Sequence, residues 1–170
     1  TYAEGDFALF DDSALTNIIN LPALRSPGSV TVSNASLAYT FNGIGSIGGG
    51  RLTKQGAASL LVANSSANSF SGVRIDGGTI LVGDGGSSGS LGSANITNNS
   101  ALVYNRNDNF TVNNAISGTG SLTKNGTGTL TLAGASSYSG QTVVNSGRLV
   151  LNGAISGGGL LTSASGSTLA

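Results

Sequence analysis

Arg51-Leu52-Thr53-Lys54-Gln55-Gly56 returns 70 residues later as Ser121-Leu122-Thr123-Lys124-Asn125-Gly126. Each copy runs on through an apolar segment, an aromatic-Ser-Gly turn and a second apolar segment. In the first copy these are Leu60-Leu61-Val62, Phe70-Ser71-Gly72 and Gly78-Thr79-Ile80-Leu81-Val82. In the second they are Leu130-Thr131-Leu132, Tyr138-Ser139-Gly140 and Gly147-Arg148-Leu149-Val150-Leu151. A unit of short strands and glycine turns has no second layer against which to bury its apolar side, so the copies must stack on one another as a solenoid.

The internal match extends upstream. Gly28-Ser29-Val30-Thr31-Val32-Ser33-Asn34 aligns with Gly92-Ser93-Ala94-Asn95-Ile96-Thr97-Asn98, and Ser36-Leu37-Ala38-Tyr39 with Ala101-Leu102-Val103-Tyr104, so the period reads as 65 to 70 residues. Val30-Thr31-Val32, Phe110-Thr111-Val112 and Leu130-Thr131-Leu132 alternate apolar and hydroxyl side chains, as a strand with one buried side does. Asn-Gly, Gly-Gly, Ser-Gly and Asp-Gly pairs between them supply the positive φ of tight corners. With about 20 to 24 residues per coil, each period holds three coils and the whole chain seven or eight, a rod on the order of 35 Å long. Asp12 to Leu24 is the one stretch with any claim to helix, and Ile18, Ile19 and Leu21 fit equally a strand that stops at Pro22. The expected organisation is a cap or leading coil over 1–27, repeat units over 28–91 and 92–159, and the start of a further coil over 160–170.

Composition narrows the chemistry. Of 170 residues only 8% are charged, 28 are Gly, and seven basic residues balance seven acidic ones. No electrostatic footprint for nucleic acid or anionic membrane follows from that balance, and no apolar run approaches the roughly 18 residues of a membrane helix. Cys and His are absent, which excludes disulfides, thiolate nucleophiles, imidazole bases and the usual zinc ligands. Serine-histidine and cysteine-histidine catalysis are thereby excluded as well. No cofactor is expected. Lack of Cys with abundant Gly, Ser, Thr and Asn fits a bacterial extracellular chain, and Thr1, with no signal segment before it, reads as the start of a mature or excised piece.

The pattern Leu-Thr-Lys-x-Gly-x-x-x-Leu, then aromatic-Ser-Gly, then Gly-x-Leu-x-Val, resembles the passenger-associated repeat of bacterial autotransporters and related giant surface proteins. Residues 45–83 and 116–153 match it, and 1–44 resemble the linking coils that precede it. The residues carrying the signature are Leu52, Lys54, Gly56, Phe70, Gly72 and Gly78, then Leu122, Lys124, Gly126, Tyr138, Gly140 and Gly147. The resemblance implies an all-β fold, a right-handed parallel β-helix, in a secreted stalk or adhesive passenger. It carries no catalytic residues to transfer, and no translocating barrel accompanies the segment.

Few side chains suggest a site. Glu4, Asp6, Asp11 and Asp12 place four carboxylates within nine residues, enough oxygen for a hard cation, although a solvated charged cap that blocks strand addition is the favoured reading. Gly83-Asp84-Gly85-Gly86 has the look of a calcium turn but occurs once and reads as a plain loop. Lys54 and Lys124 invite a charge ladder, a recognition stripe or a Lys-Asn crosslink; the favoured reading keeps each ammonium in water at a corner, its stem laid along an apolar neighbour. After residue 12 the acids are Asp76, Asp84 and Asp108, with no pair set for polysaccharide cleavage. Tyr39 and Tyr104 are either core or outward stacking platforms for sugar. Asn34, Asn98, Asn125 and Asn145 are expected to bond backbone or their neighbours one coil away.

The function expected from these residues is structural: a non-catalytic secreted spacer or fibre subunit. Its partners would be further copies of itself stacked end to end, or flanking parts of a longer chain. An adhesin that binds a surface glycan is the alternative, and a polysaccharide-cleaving enzyme ranks third.

Overall fold

The computed structural model describes residues 2–170, and every element in them is β. Twenty short strands wind as a parallel solenoid of eight coils, with no helix among the described residues. The first face stacks six strands, from Phe7–Asp11 to Ile116–Ser117; the second stacks eight, from Ile18–Asn20 to Leu161–Ser163. The third is formed by Gly48–Gly49 on Ser69–Phe70 in the early coils and by four strands from Phe110–Val112 to Thr168–Leu169 in the later ones. Asp12 to Leu24 contains a strand, Ile18–Asn20, that ends just before Pro22.

Strand alternation builds the core. On the first face Val30, Leu52, Val73, Ile96 and Ile116 follow one another in register and are buried. On the second face Phe41, Val62, Val82, Tyr104 and Lys124 do the same. Each inward side chain therefore packs on its equivalent one coil away, and the apolar ladder along the axis is the dominant stabilising term. Tyr39 and Tyr104 are 1% and 2% exposed, so both are core residues and neither is an outward platform. The Tyr39 hydroxyl donates to the Asp11 carbonyl at 2.6 Å, and Phe10 packs edge-on against Tyr39 and Phe41, which ties the first coil to the second.

Buried amides lock the corners. Asn64 and Asn68 exchange side-chain hydrogen bonds of 3.1 Å; their amides also donate to Gly45 O one coil before and Ser90 O one coil after. Such a network is fully paired and spans three coils. Asn34 and Asn98 are equivalent, donating to Ser59 O and Ser121 O in the following coil. Asn98 Oδ1 accepts from Ser100 N, whereas in the earlier copy Asp12 takes Ser36 N, which leaves Asn34 Oδ1 without a partner. Asn145 donates to Asn125 Oδ1 at 2.8 Å, a ladder contact between adjacent coils.

The expectation of three coils in every period needs correction. Three coils on from Leu52, through Val73 and Ile96, the chain reaches Ile116; Leu122 lies six residues further, on the next face. The second signature copy is thus rotated by one face around the axis. Arg51–Gln55 belongs to the first face and its counterpart Ser121–Lys124 to the second; Ser59–Val62 belongs to the second and Thr129–Leu132 to the third. The upstream match, by contrast, returns to the same face after three coils, two residues out of register: Val32 leads through Lys54 and Ile75 to Asn98, not to its sequence match Ile96. Rotation is tolerated because all faces are parallel stacks with the same inward parity, so a strand that suits one suits the next.

Candidate functional site

The corner carrying the repeat signature is the most elaborate local arrangement in the molecule. Leu52 and Lys54 have the same parity on their strand, so both point inward, and the burial pattern along Arg51–Gln55 alternates accordingly. Lys54 is 0% exposed and Lys124 2%. The expectation that these ammonium groups stay in water is wrong: Lys54 Nζ donates to the carbonyls of Gln55 at 2.6 Å, Gly56 at 2.9 Å and Gly77 at 3.3 Å. Lys124 repeats this with the Gly126 carbonyl and with Ser146 O at 3.3 Å. Each lysine therefore reaches its own turn and the turn one coil later, pinning two corners together. The polar corner carbonyls face inward, and a long inward side chain with three donors can satisfy them where an apolar one cannot. The signal was present in the sequence as the Leu-x-Lys parity.

Burial penalises the charge. Desolvation lowers the Lys54 pKa to about 8 while the Asp12 carboxylate pulls it the other way, and Lys124 is lowered by burial. The two lysines stand on different faces, so they form neither a ladder nor a stripe along the rod.

The remaining signature residues are corner furniture. Gly56 has φ +74°, and a Cβ there would sit 2.2 Å from Asn34 O in the preceding coil. Gly78 and Gly147 carry positive φ at the next coil of the same two corners, whereas Gly126 and Gly140 admit no Cβ because the preceding coil's backbone lies against them. Phe70 and Tyr138 are buried, Tyr138 sharing a 2.6 Å hydroxyl contact with Thr142. Leu122 is core, as Leu52 is.

The four N-terminal carboxylates serve separate local bonds. Glu4 accepts from Ser26 N and Tyr2 and stands 4.0 Å from Arg25; Asp6 accepts from Ala3 N; Asp11 accepts from Ser13. Asp12 takes the backbone N–H groups of Ala35, Ser36 and Leu37 at 2.7, 3.0 and 2.8 Å. Among the described residues no group of three or more acidic side chains converges on a common point. Beside these carboxylates the first coil also exposes apolar groups: Phe7 and Leu9 are 83% and 62% exposed, and Ala8, Phe10, Ile19 and Leu21 line its open end. Asp84 accepts from Gly86 N at 3.1 Å, closing an ordinary loop turn. Asp76 is held by Arg74 at 2.7 Å and Asp108 by Arg106, whose guanidinium lies 4.2 Å over the Phe110 ring.

Three backbone donors hold the Asp12 pKa down at about 2. A group with a depressed folded-state pKa contributes stability above its ordinary value of 3.8, and that contribution is lost as pH falls towards 2. Hydrogen-exchange protection at Ala35 to Leu37, corrected for the intrinsic rate at each pH, is therefore expected to fall below pH 4 ahead of the middle coils, and Asp12→Ala to show the same loss of protection at neutral pH.

Comparison with known proteins follows the same corners. The passenger-associated transport repeat family matches residues 52–82 and 122–151. The chain is also similar to a Brucella suis biovar 1 (strain 1330) protein named Adhesin BmaC autotransporter: 40% identity over 157 aligned positions, covering 72% of this chain and 4% of that protein. No solved structure matches this chain. Each matched segment begins at the inward leucine of a lysine corner and closes on the apolar strand one coil later, one copy on each of two adjacent pairs of faces, so the chain is a β-solenoid with two segments that match the passenger-associated transport repeat.

Proposed function

We propose that this chain is a structural section of a passenger displayed on, or released from, a bacterial surface, where its task is to hold length and stiffness. The observation that carries this reading is the unbroken parallel stack of eight coils, in which side-chain ladders and pinned corners bind each turn only to its neighbours. Such a molecule gains length by adding coils without altering existing ones. The reading includes no catalytic step. The proposed partners are further coils, supplied by the flanking chain or by a second copy, because the first coil leaves a free strand edge and an apolar end.

A second reading is favoured by the Brucella relative, which is named an adhesin and of which this chain spans 4%. In it the rod also presents a ligand-binding patch, with a surface glycan as the ligand class.

Electron microscopy of the purified chain over a range of concentrations, with light-scattering mass, separates the possibilities. Short rods of monomer mass are the expected result for a section that relies on flanking chain; filaments would assign the open coils to contacts between copies. Flexible or collapsed particles would overturn the structural reading.

A further inference from the structure

Outward side chains of the second face are hydroxyl, amide and aliphatic, whereas the first face carries Arg51 and the third Arg148. Five of the seven cationic side chains are engaged: Lys54 and Lys124 by carbonyls, Arg25, Arg74 and Arg106 by carboxylates. Arg51 and Arg148 have no hydrogen-bond or ion-pair partner among the described residues. Arg51 borders a groove of about 390 Å³ shared with Ser71, Gly72, Ser93, Asn95 and Thr97. That volume lies at the lower end of small-molecule sites, roughly 300–1,000 Å³.

The floor of the groove is Gly72, and its lack of a side chain has no backbone cause. Gly72 is not among the positive-φ glycines, and a Cβ built on it would meet nothing closer than the Arg51 guanidinium, at 3.6 to 4.0 Å. In the second copy the equivalent Gly140 is forced by Gly120 O, 2.1 Å from its would-be Cβ, and Ser121 replaces the arginine. The groove therefore belongs to the first copy alone.

We infer that the groove between Arg51 and Asn95, floored by Gly72, binds a carboxylate-bearing sugar unit of an acidic glycan. The inference rests on the adhesin reading and names its ligand class and site. A guanidinium offers two parallel N–H donors to a carboxylate, and no acidic side chain borders the groove to compete for them. Ser71, Ser93, Asn95 and Thr97 supply hydroxyl and amide groups suited to sugar hydroxyls, while the bare glycine lets the ring approach the sheet.

Affinity electrophoresis of the intact chain through hyaluronan, dextran sulfate and neutral dextran tests it, with Arg51→Gln, Gly72→Val and Arg148→Gln compared and thermal unfolding confirming that each variant is folded. The expected result is retardation by hyaluronan and not by dextran, weakened about tenfold or more in Arg51→Gln and in Gly72→Val and unchanged in Arg148→Gln. No retardation of the parent chain by hyaluronan, equal retardation of Arg51→Gln, or equal loss in Arg148→Gln would each overturn the site. Retardation by dextran sulfate alone would overturn the carboxylate assignment. Retardation by dextran that survives in Arg51→Gln would overturn this site while leaving the glycan-adhesin reading standing, so the two failures are distinguishable.

Discussion

Gly56→Ala is expected to destabilise the solenoid by about 3–5 kcal/mol, while Gly72→Ala, at an equally conspicuous glycine of the same repeat, changes stability by about 0.5 kcal/mol or less. At Gly56 two costs add. The φ of +74° is left-handed, which costs an alanine about 1–2 kcal/mol, and the new methyl would stand 2.2 Å from Asn34 O and 2.5 Å from the carbon bearing it. The obstacle is backbone, so no rotamer change relieves it. Separating the two coils would stretch the 3.0 Å bond from Ala58 N to Asn34 O. At Gly72 neither cost exists. Chemical unfolding of both variants, with hydrogen exchange at residues 54–58, measures the contrast. If Gly56→Ala unfolds within 1 kcal/mol of the parent chain, the stacking account of these corners fails.

The second large effect is a stability that rises with pH. In the unfolded chain Lys54 keeps its proton to the ordinary 10.5, whereas in the fold it releases it near 8. Between those values the unfolded state binds more protons, so unfolding free energy increases with pH, by at most about 1.4 kcal/mol per pH unit for each lysine. Lys124 adds in the same direction. The rise has an upper limit, because burial lifts the pKa of Tyr39, Tyr104 and Tyr138 above the usual 10.0 and their contribution is lost once unfolded tyrosines begin to ionise. Maximum stability is thus expected near pH 10. Lys54→Met with Lys124→Met should flatten the limb between pH 8 and 10. At neutral pH each substitution also leaves the Gly56 and Gly77 or the Gly126 and Ser146 carbonyls without a donor, at about 1–3 kcal/mol per corner. A parent chain whose denaturation midpoint stays level from pH 8 to 10, or a double variant that keeps the slope, would refute the buried-ammonium reading.

What the residues disclosed by themselves was local and periodic. Alternation in Val30-Thr31-Val32 and Leu130-Thr131-Leu132, broken by Gly56, Gly78, Gly126 and Gly147, requires short parallel strands joined by tight corners. Two copies of one motif require that they stack, since neither can bury its apolar side alone. The coil count was legible for the same reason, whereas residues 12–24 fitted helix and strand equally, and the stack on Tyr39–Asn42 makes Ile18–Asn20 a strand. Three matters depended on tertiary contact. Inward parity was readable at Lys54, yet only the inward-facing carbonyls of two successive corners make burial of its ammonium tolerable. The 70-residue spacing was readable, but coil length is set by packing along the whole stack, and that is what carries Leu122 onto the face after the one that holds Leu52. Gly72 looked like its counterpart Gly140, and the difference between an enforced glycine and an open groove arose from which face of the preceding coil each one meets. Sequence periodicity specifies what each strand does with its two sides; the stack decides which neighbour each side meets.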